Sequence, residues 1–142
     1  MRSTRRAHLI LAATLLAPLM MPAAALAQKA GDASGLWLTE TGVSKVRLAR
    51  CGGGFCGTIA TTSGTGLDTN NPDASLRSRS LVGVRILNAN AANADGYEGS
   101  LYNPKDGKTY SGTLKVKGPN AVEVAGCVMG VFCKRQTWTR VN

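Results

Sequence analysis

Histidine is nearly absent from this sequence: the 142 residues contain one, His8. It lies in an N-terminal segment that we expect to be removed, which would leave the mature chain with none. Catalysis by a Ser–His or Cys–His pair and metal binding through imidazole are then excluded. Any acid–base chemistry would depend on carboxylates, tyrosines or lysines. The sequence therefore predicts no catalytic residues, no metal site and no cofactor, with carboxylate chemistry on a glycan as an open alternative.

Aromatic residues make up only 5% of the chain, and acidic residues are fewer than basic ones, 8 against 17. No basic run is interleaved with aromatic residues, so nucleic acid is not an expected partner. The excess of positive charge favours anionic glycans, phosphates or lipid head groups through long-range attraction. Alternatively, these lysines and arginines only keep a β-protein in solution and discourage the pairing of strand edges.

The N-terminal segment has the features of a secretory signal peptide. Residues 9–27 form a run without charge that ends on Ala25-Leu26-Ala27, the small-x-small pattern of a signal peptidase site. Three basic residues precede the run: Arg2, Arg5 and Arg6. We predict cleavage between Ala27 and Gln28, and the loss of 27 residues from 142 leaves 115.

The alternative interpretation of this segment is a membrane anchor, since the run is nearly long enough to span a bilayer. Pro18 and Pro22 disfavour an anchor, because proline breaks a helix. We therefore expect a periplasmic or extracellular protein with no stable membrane span after cleavage. Residues 28–34 are predicted to be a flexible lead, and residues 35–142 a single domain.

The four cysteines form two close pairs, Cys51/Cys56 and Cys127/Cys133. An even number of cysteines at short spacing in an exported chain predicts disulfides. Bridges within each pair would staple a hairpin, whereas bridges between the pairs would close longer loops, and the sequence allows all three connectivities. A zinc site is the rival interpretation, but these spacings are longer than those of tight zinc knuckles.

The remaining chain alternates β-type segments with turn signals and contains no amphipathic helix of ordinary length. Val46 and Leu48, for example, fall on one face of a strand and Lys45 and Arg47 on the other. Eight strands are predicted: 36–39, 43–50, 56–62, 81–87, 97–103, 108–117, 121–128 and 132–141. Short strands joined mostly by hairpins predict an all-β fold, an eight-stranded antiparallel meander that closes into a small barrel. A two-sheet sandwich is the alternative.

One connection, residues 62–80, is longer than loops usually are, which indicates a functional role or structure of its own. Asn71 is suited to cap a helix that starts at Pro72, with Asp73 in the first turn and Arg77 near the end. We expect one or two helical turns here, across a barrel mouth.

The two ends of the predicted domain resemble a known signature. Gly35-Leu36-Trp37 opens the first strand, and Trp138-Thr139-Arg140 closes the last. This pairing is similar to that of the calycin superfamily, which includes the lipocalins. The resemblance implies that Gly35, Trp37, Trp138 and Arg140 are structural, with the arginine packed on the indole ring at one end of the barrel.

Longer motifs follow in order between these ends. They are Cys51…Cys56-Gly57-x-Ile59, Asn71-Pro72-Asp73…Arg77-x-Arg79-x-Leu81-x-Gly83, and Tyr102-Asn103-Pro104-x-Asp106-Gly107-Lys108-x-Tyr110. With Thr137-Trp138-Thr139-Arg140 they resemble the bacterial family catalogued as domain of unknown function 2147. The resemblance implies an exported protein with a lipocalin-like barrel and no established activity.

Two groups of polar residues are candidates for a ligand or loop site. The first is concentrated in the long loop: Asp68, Asn70, Asn71, Asp73, Arg77 and Arg79. Its two arginines could hold a carboxylate or phosphate, or they could only tie the loop to the barrel. The second group, on one hairpin, includes Tyr102 and Tyr110, whose hydroxyls could reach a pocket or whose rings could only pack across strands.

Three functions are consistent with these features. The first is a binding protein for a small apolar or amphipathic ligand, buried against Val46, Leu48, Val84, Ile86, Leu114 and Val124. The second is a cell-envelope interaction or structural protein without a pocket, which contacts an anionic polymer or a partner protein. The third is an enzyme acting through carboxylates and tyrosine. An open cavity would favour the first, because a small barrel can instead fill itself with side chains.

Overall fold

The computed structural model describes residues 31–142, so the expected signal peptide, its cleavage site and most of the lead lie outside the described residues. Eight strands follow one another, with a single 3-10 turn at Ala74–Leu76 between β3 and β4. The strands are β1 Gly35–Leu38, β2 Ser44–Cys51, β3 Gly54–Thr62, β4 Arg85–Asn93, β5 Gly96–Asn103, β6 Lys108–Gly118, β7 Ala121–Val128 and β8 Phe132–Val141.

Each strand pairs antiparallel with the next, and β1 also pairs with β8, so the sheet closes into a barrel. The predicted all-β meander and its closure are confirmed, and the sandwich alternative is wrong. Because β1 pairs with β8, both edges of the sheet described by residues 31–142 are paired, which removes the liability of an open β-sheet. The alternation predicted for β2 is present, with Val46 and Leu48 buried inside and Arg47 exposed.

The fourth strand is the one misplaced by the sequence prediction, which set it at residues 81–87 instead of 85–93. Residues 88–93 contain only asparagine and alanine, which have low β-propensity. They belong to β4 nonetheless, because the neighbouring strands β3 and β5 pair with them: Ala89 lies opposite Phe55 of β3, and Ala92 opposite Tyr97 of β5. Leu81 instead lies within the long loop, where its backbone nitrogen donates to the Gly66 carbonyl at 2.7 Å.

One end of the barrel is sealed by Arg140. Its guanidinium carbon lies 4.3 Å from the centre of the Trp37 ring. Its nitrogens donate to the carbonyl of Ser34 at 2.7 Å and of Pro119 at 2.6 Å. Gly35 has φ of +136°, and a Cβ there would lie 2.5 Å from an Arg140 nitrogen, so only glycine permits this approach. Three residues of the signature inferred from the sequence, Gly35, Trp37 and Arg140, therefore close this end, whereas Trp138 lines the cavity in the other half.

The end of the predicted flexible lead packs against the same sealed end. Ala33 is fully buried. Its carbonyl accepts a hydrogen bond from the Trp37 indole nitrogen at 2.9 Å. Residues 31–34 therefore lie on the barrel, where the Ala33 carbonyl supplies the acceptor that the buried indole requires.

The sealed half of the barrel is filled by large apolar side chains. Phe55 and Tyr97 meet edge to face there, with ring centres 5.0 Å apart. The fully buried members of this core are Trp37, Phe55, Leu48, Leu87, Leu114, Val46 and Val122. Of the six residues expected to contact a ligand, Val46, Leu48 and Leu114 are instead packed in this core, and Val84 packs against it. Ile86 and Val124 line the cavity at the other end of the barrel.

Two disulfides join Cys51 to Cys56 and Cys127 to Cys133, so each bridge staples one hairpin. Of the three connectivities left open by the sequence, the structure selects the one within pairs. The first hairpin, β2–β3, turns at the sealed end, and the second, β7–β8, turns at the opposite end. No helix within residues 31–142 is long and apolar enough to cross a membrane.

Candidate ligand site at the barrel mouth

The half of the barrel opposite Arg140 contains a cavity of about 560 Å³. We call its open end the mouth. The mouth is formed by the β1–β2, β5–β6 and β7–β8 turns together with the long connection between β3 and β4, which the structure bounds at residues 63–84. The long loop therefore lies where the sequence predicted, across one end of the barrel.

The cavity has an apolar floor and a polar rim. The floor side chains are buried: Ile59, Ile86, Val124 and Trp138. The rim adds hydroxyl, amide and amine groups: Thr39, Ser44, Thr62, Asn70, Tyr102, Lys105, Tyr110, Lys134 and Gln136. This division suits an amphipathic molecule whose apolar part is buried and whose polar part stays near solvent.

Asp68 organises the long loop from a position with no solvent exposure. Its Oδ2 accepts from the Asn71 amide at 2.8 Å and from Arg79, which also forms an ion pair with it at 2.8 Å. Its Oδ1 accepts from the Tyr102 hydroxyl at 2.6 Å. Both oxygens are thus occupied by the protein itself, so Asp68 acts as a positioning residue for the loop.

The electrostatics of Asp68 and Tyr102 follow from these contacts. Burial alone would raise the pKa of Asp68, but the hydrogen bonds from Tyr102, Asn71 and Arg79 outweigh it and hold the pKa below its ordinary value. Burial and the bond to this carboxylate raise the pKa of Tyr102 to about 12. Asp68 is therefore ionised and Tyr102 neutral at ordinary pH, and neither is suited to exchange protons there.

Asn71, Asp73 and Arg77 also have structural partners, but not all the predicted ones. The N-cap of the 3-10 turn is Asp73, which accepts from the backbone nitrogen of Ser75 at 2.9 Å, and not Asn71 as predicted. The Asn71 side chain instead accepts from the backbone nitrogen of Asp73. Arg77 donates to the Asn71 carbonyl at 2.8 Å. The expected short helical turn is therefore present as a single 3-10 turn at Ala74–Leu76, which starts two residues later than predicted.

Asn70 fastens the long loop to the β5–β6 turn. Its amide donates to the carbonyls of Pro104 at 3.1 Å and Lys105 at 3.0 Å. Gly107 lies directly beneath, with φ of +71°, and a Cβ there would be 1.8 Å from the Asn70 carbonyl oxygen. The absence of a side chain at Gly107 therefore lets two loops touch at the mouth.

Tyr110 and Asp106 form a second pair on the rim, in which the tyrosine hydroxyl donates to the carboxylate. This bond lowers the pKa of Asp106 and raises that of Tyr110. Of the eight predicted site residues, Asn70, Tyr102 and Tyr110 line the cavity, whereas the other five are held within the loop.

Strand β8 contributes cavity residues that sequence reasoning missed. Gln136 and Lys134 both line the cavity. The side-chain oxygen of Gln136 accepts from the Trp138 indole at 3.1 Å, which leaves the side-chain NH2 group of Gln136 free to donate toward a ligand. Counting back in steps of two from Trp138 would have found Gln136, Lys134 and Phe132 on the inner face. Their polarity concealed that face.

Comparison with known proteins agrees with this geometry. Residues 35–140 match the bacterial family described as "Uncharacterized protein conserved in bacteria (DUF2147)". The chain belongs to this family. The resemblance inferred from the ordered motifs is therefore confirmed, and the DUF2147 region spans the barrel from the start of β1 to the last but one residue of β8.

A solved structure is also similar to this DUF2147 chain: protein HP1028 from the human pathogen Helicobacter pylori, which belongs to the lipocalin family. The two share 25% sequence identity with a TM-score of 0.68, over 78% of this chain and 84% of that one. The predicted lipocalin-like fold is thereby confirmed. No match is found among curated proteins.

Proposed function

We propose that this protein is an exported, non-catalytic binding protein that holds a small amphipathic ligand in the open half of its barrel. The observation that carries the proposal is the division of the barrel interior. Large side chains fill the half beneath Arg140, whereas the half beneath the mouth encloses about 560 Å³. A cavity of this size is within the range of small-molecule sites.

The lining supports an amphipathic ligand over a fully apolar or a highly charged one. Burying the ligand body against Ile86, Val124 and Trp138 would contribute about 25 cal/mol per Å² of apolar area removed from water. The rim then supplies donors that fix orientation, from the Gln136 amide and the Lys134 ammonium. Two disulfides support export, because such bridges persist in oxidising compartments.

Binding is favoured over catalysis by the state of the polar groups. Glycoside hydrolysis needs two carboxyl groups facing each other across a cleft. Among the described residues that line the cavity, Asp106 is the one carboxylate, and it is bonded to Tyr110. The lipocalin-like fold is consistent with the same choice.

The proposal is tested by blocking the cavity from the inner face of β8. Gln136→Trp places a large ring in the cavity, and Thr137→Trp, one residue along, places it on the exposed outer face. The probe is the fluorescent fatty acid cis-parinaric acid. We expect the unmodified protein and Thr137→Trp to bind one molecule each, and Gln136→Trp to bind at least about ten-fold more weakly because the apolar floor is covered.

If both tryptophan variants bind the probe as tightly as the unmodified protein, the cavity is not the site. If none of the three proteins binds it, the cavity does not take an amphipathic chain. Circular dichroism of each variant verifies that the barrel is intact.

A further inference from the structure

Large exposed apolar side chains are confined to one end of the described barrel. Within residues 31–142, the large exposed apolar residues are Val43, Leu67, Val82, Val128, Met129, Val131 and Phe132. All of them lie in the β1–β2 turn, the long loop or the β7–β8 hairpin, which together surround the mouth. The sealed end exposes no large apolar side chain among the described residues. Such a one-sided distribution is typical of an interaction surface.

The tip of the β7–β8 hairpin is the most exposed part of this surface. Met129 is 88% exposed, Val131 74% and Phe132 73%. We call residues 128–132 the apolar tip. Phe132 and Val128 also line the cavity, so the apolar surface is continuous from the tip into the binding space.

The backbone conformation at the apex of the tip does not favour the apolar residue found there. Met129 has φ of +55° and Gly130 of +67°, in a turn closed by the Val131 nitrogen and the Val128 carbonyl at 3.2 Å. Asparagine, aspartate or glycine is preferred at such a first position. Met129 is the one non-glycine residue with positive φ among residues 31–142. Local folding therefore does not account for a methionine here, whereas contact with an apolar medium would.

The tip is also held in shape before it meets any partner. Cys127 and Cys133 face each other across the hairpin directly below it, and their disulfide fixes the two strands. An element that is already ordered loses little conformational entropy on docking.

Positive charges accompany the apolar residues at the mouth. Lys108 lies in the same surface groove as Met129, and Lys105 and Lys134 stand on the rim. Two carboxylates at this end offset part of that charge: Asp106, which accepts from the Tyr110 hydroxyl, and Glu40 of the β1–β2 turn, which accepts from the backbone nitrogen of Thr137. A basic ring around an apolar tip complements a surface with anionic groups outside and hydrocarbon beneath, which is the chemistry of a phospholipid bilayer.

We infer that the mouth docks onto an anionic phospholipid bilayer, with the apolar tip inserted between lipids and the rim lysines on their phosphates. The inference rests on the proposed function in one respect: docking in this orientation presents the cavity to the membrane, so an amphipathic ligand could pass between lipid and barrel without crossing water. The bilayer would then be the source or the destination of that ligand.

The test uses two variants of the purified protein. The double variant Met129→Asn with Val131→Ser replaces two apolar residues of the tip, both outside the main cavity. Asparagine suits the positive φ of residue 129. With vesicles of equal parts phosphatidylcholine and phosphatidylglycerol, we expect the unmodified protein to co-sediment and the double variant to bind at least about ten-fold more weakly. Lys108→Gln should weaken binding, and Lys117→Gln, on β6 near the sealed end, should not.

These measurements separate docking from ligand binding. Unchanged cis-parinaric acid binding in the double variant, together with lost vesicle binding, supports the inference. Equal vesicle binding by the double variant and the unmodified protein would overturn it while leaving the proposed function intact. A dimer that forms without lipid and is abolished in the double variant would also overturn it, because the tip would then be covered by a second copy.

Discussion

Tyr102 donates its hydroxyl to the buried carboxylate of Asp68 at 2.6 Å. This bond connects β5 to the long loop across 34 positions of sequence. Because Asp68 also accepts from Asn71 and Arg79, one carboxylate determines how the loop lies over the barrel. The shape of the mouth therefore depends on a contact between Tyr102, which lines the cavity, and Asp68, which lies behind the lining.

Removing that hydroxyl tests its structural role. Tyr102→Phe leaves one oxygen of Asp68 buried without its partner, so we expect the free energy of unfolding to fall by about 1–3 kcal/mol. Urea unfolding followed by tryptophan fluorescence measures the loss. The matched control is Tyr110→Phe, whose partner Asp106 is exposed and should lose much less. Equal losses in the two variants would contradict the role given to Asp68.

Acid should weaken the protein through the same carboxylate. The folded-state pKa of Asp68 lies below its ordinary 3.8, so its contribution to stability is fully present above pH 3.8 and is lost as the pH falls through the folded pKa. Unfolding free energy measured between neutral pH and this range should decline accordingly. Asp68→Asn should start from lower stability, and its decline with acid should be shallower. A parallel decline in both proteins would assign acid sensitivity to other groups.

Alkali should act through the tyrosine of the pair. The folded-state pKa of Tyr102 is raised from 10.0 to about 12, so its contribution is complete below pH 10 and is lost as the pH rises toward 12. Absorbance of tyrosinate near 295 nm during an alkaline titration should show a late step near pH 12 from Tyr102. In Tyr102→Phe this late step should be missing, and its persistence would assign it to another tyrosine.

The sealed end of the barrel is tested by Arg140→Lys. Lysine keeps the charge but cannot donate to Ser34 and Pro119 together while stacking on Trp37. We expect a loss of about 1–3 kcal/mol in unfolding free energy. Binding of cis-parinaric acid should be unaffected, because the cavity lies in the other half. Weaker probe binding in a folded variant would show that the two halves are coupled.

The two disulfides should contribute similar stability. The bridges span sequence separations of 5 and 6, and closure of such short loops contributes about 2 kcal/mol each in the chain-entropy treatment. The paired serine variants, Cys51→Ser with Cys56→Ser and Cys127→Ser with Cys133→Ser, should each lower the urea midpoint. Only the second pair should also weaken vesicle binding, since it alone supports the apolar tip. Equal effects on vesicle binding would contradict that distinction.

The sequence by itself determined the class of fold and most of its strands. Alternation with a period of two is a local property, so β2, β6 and β7 could be placed from side-chain order alone. The end signature of Gly35, Trp37 and Arg140 could be recognised through its resemblance to the calycin signature, and the structure shows why residue 35 is glycine, since a Cβ there would meet Arg140. The cysteine pairs limited the bridges without selecting among them.

Only the tertiary structure decided the rest. The asparagine–alanine segment of β4 is a strand because β3 and β5 pair with it, which overrides its low propensity. Gln136 and Lys134 face the cavity because β8 must turn Trp138 inward. The loop polar residues bind one another because the barrel brings Asp68 to Tyr102. These outcomes depend on contacts between residues distant in sequence, and no local pattern encodes where the filled half of a barrel ends and its cavity begins.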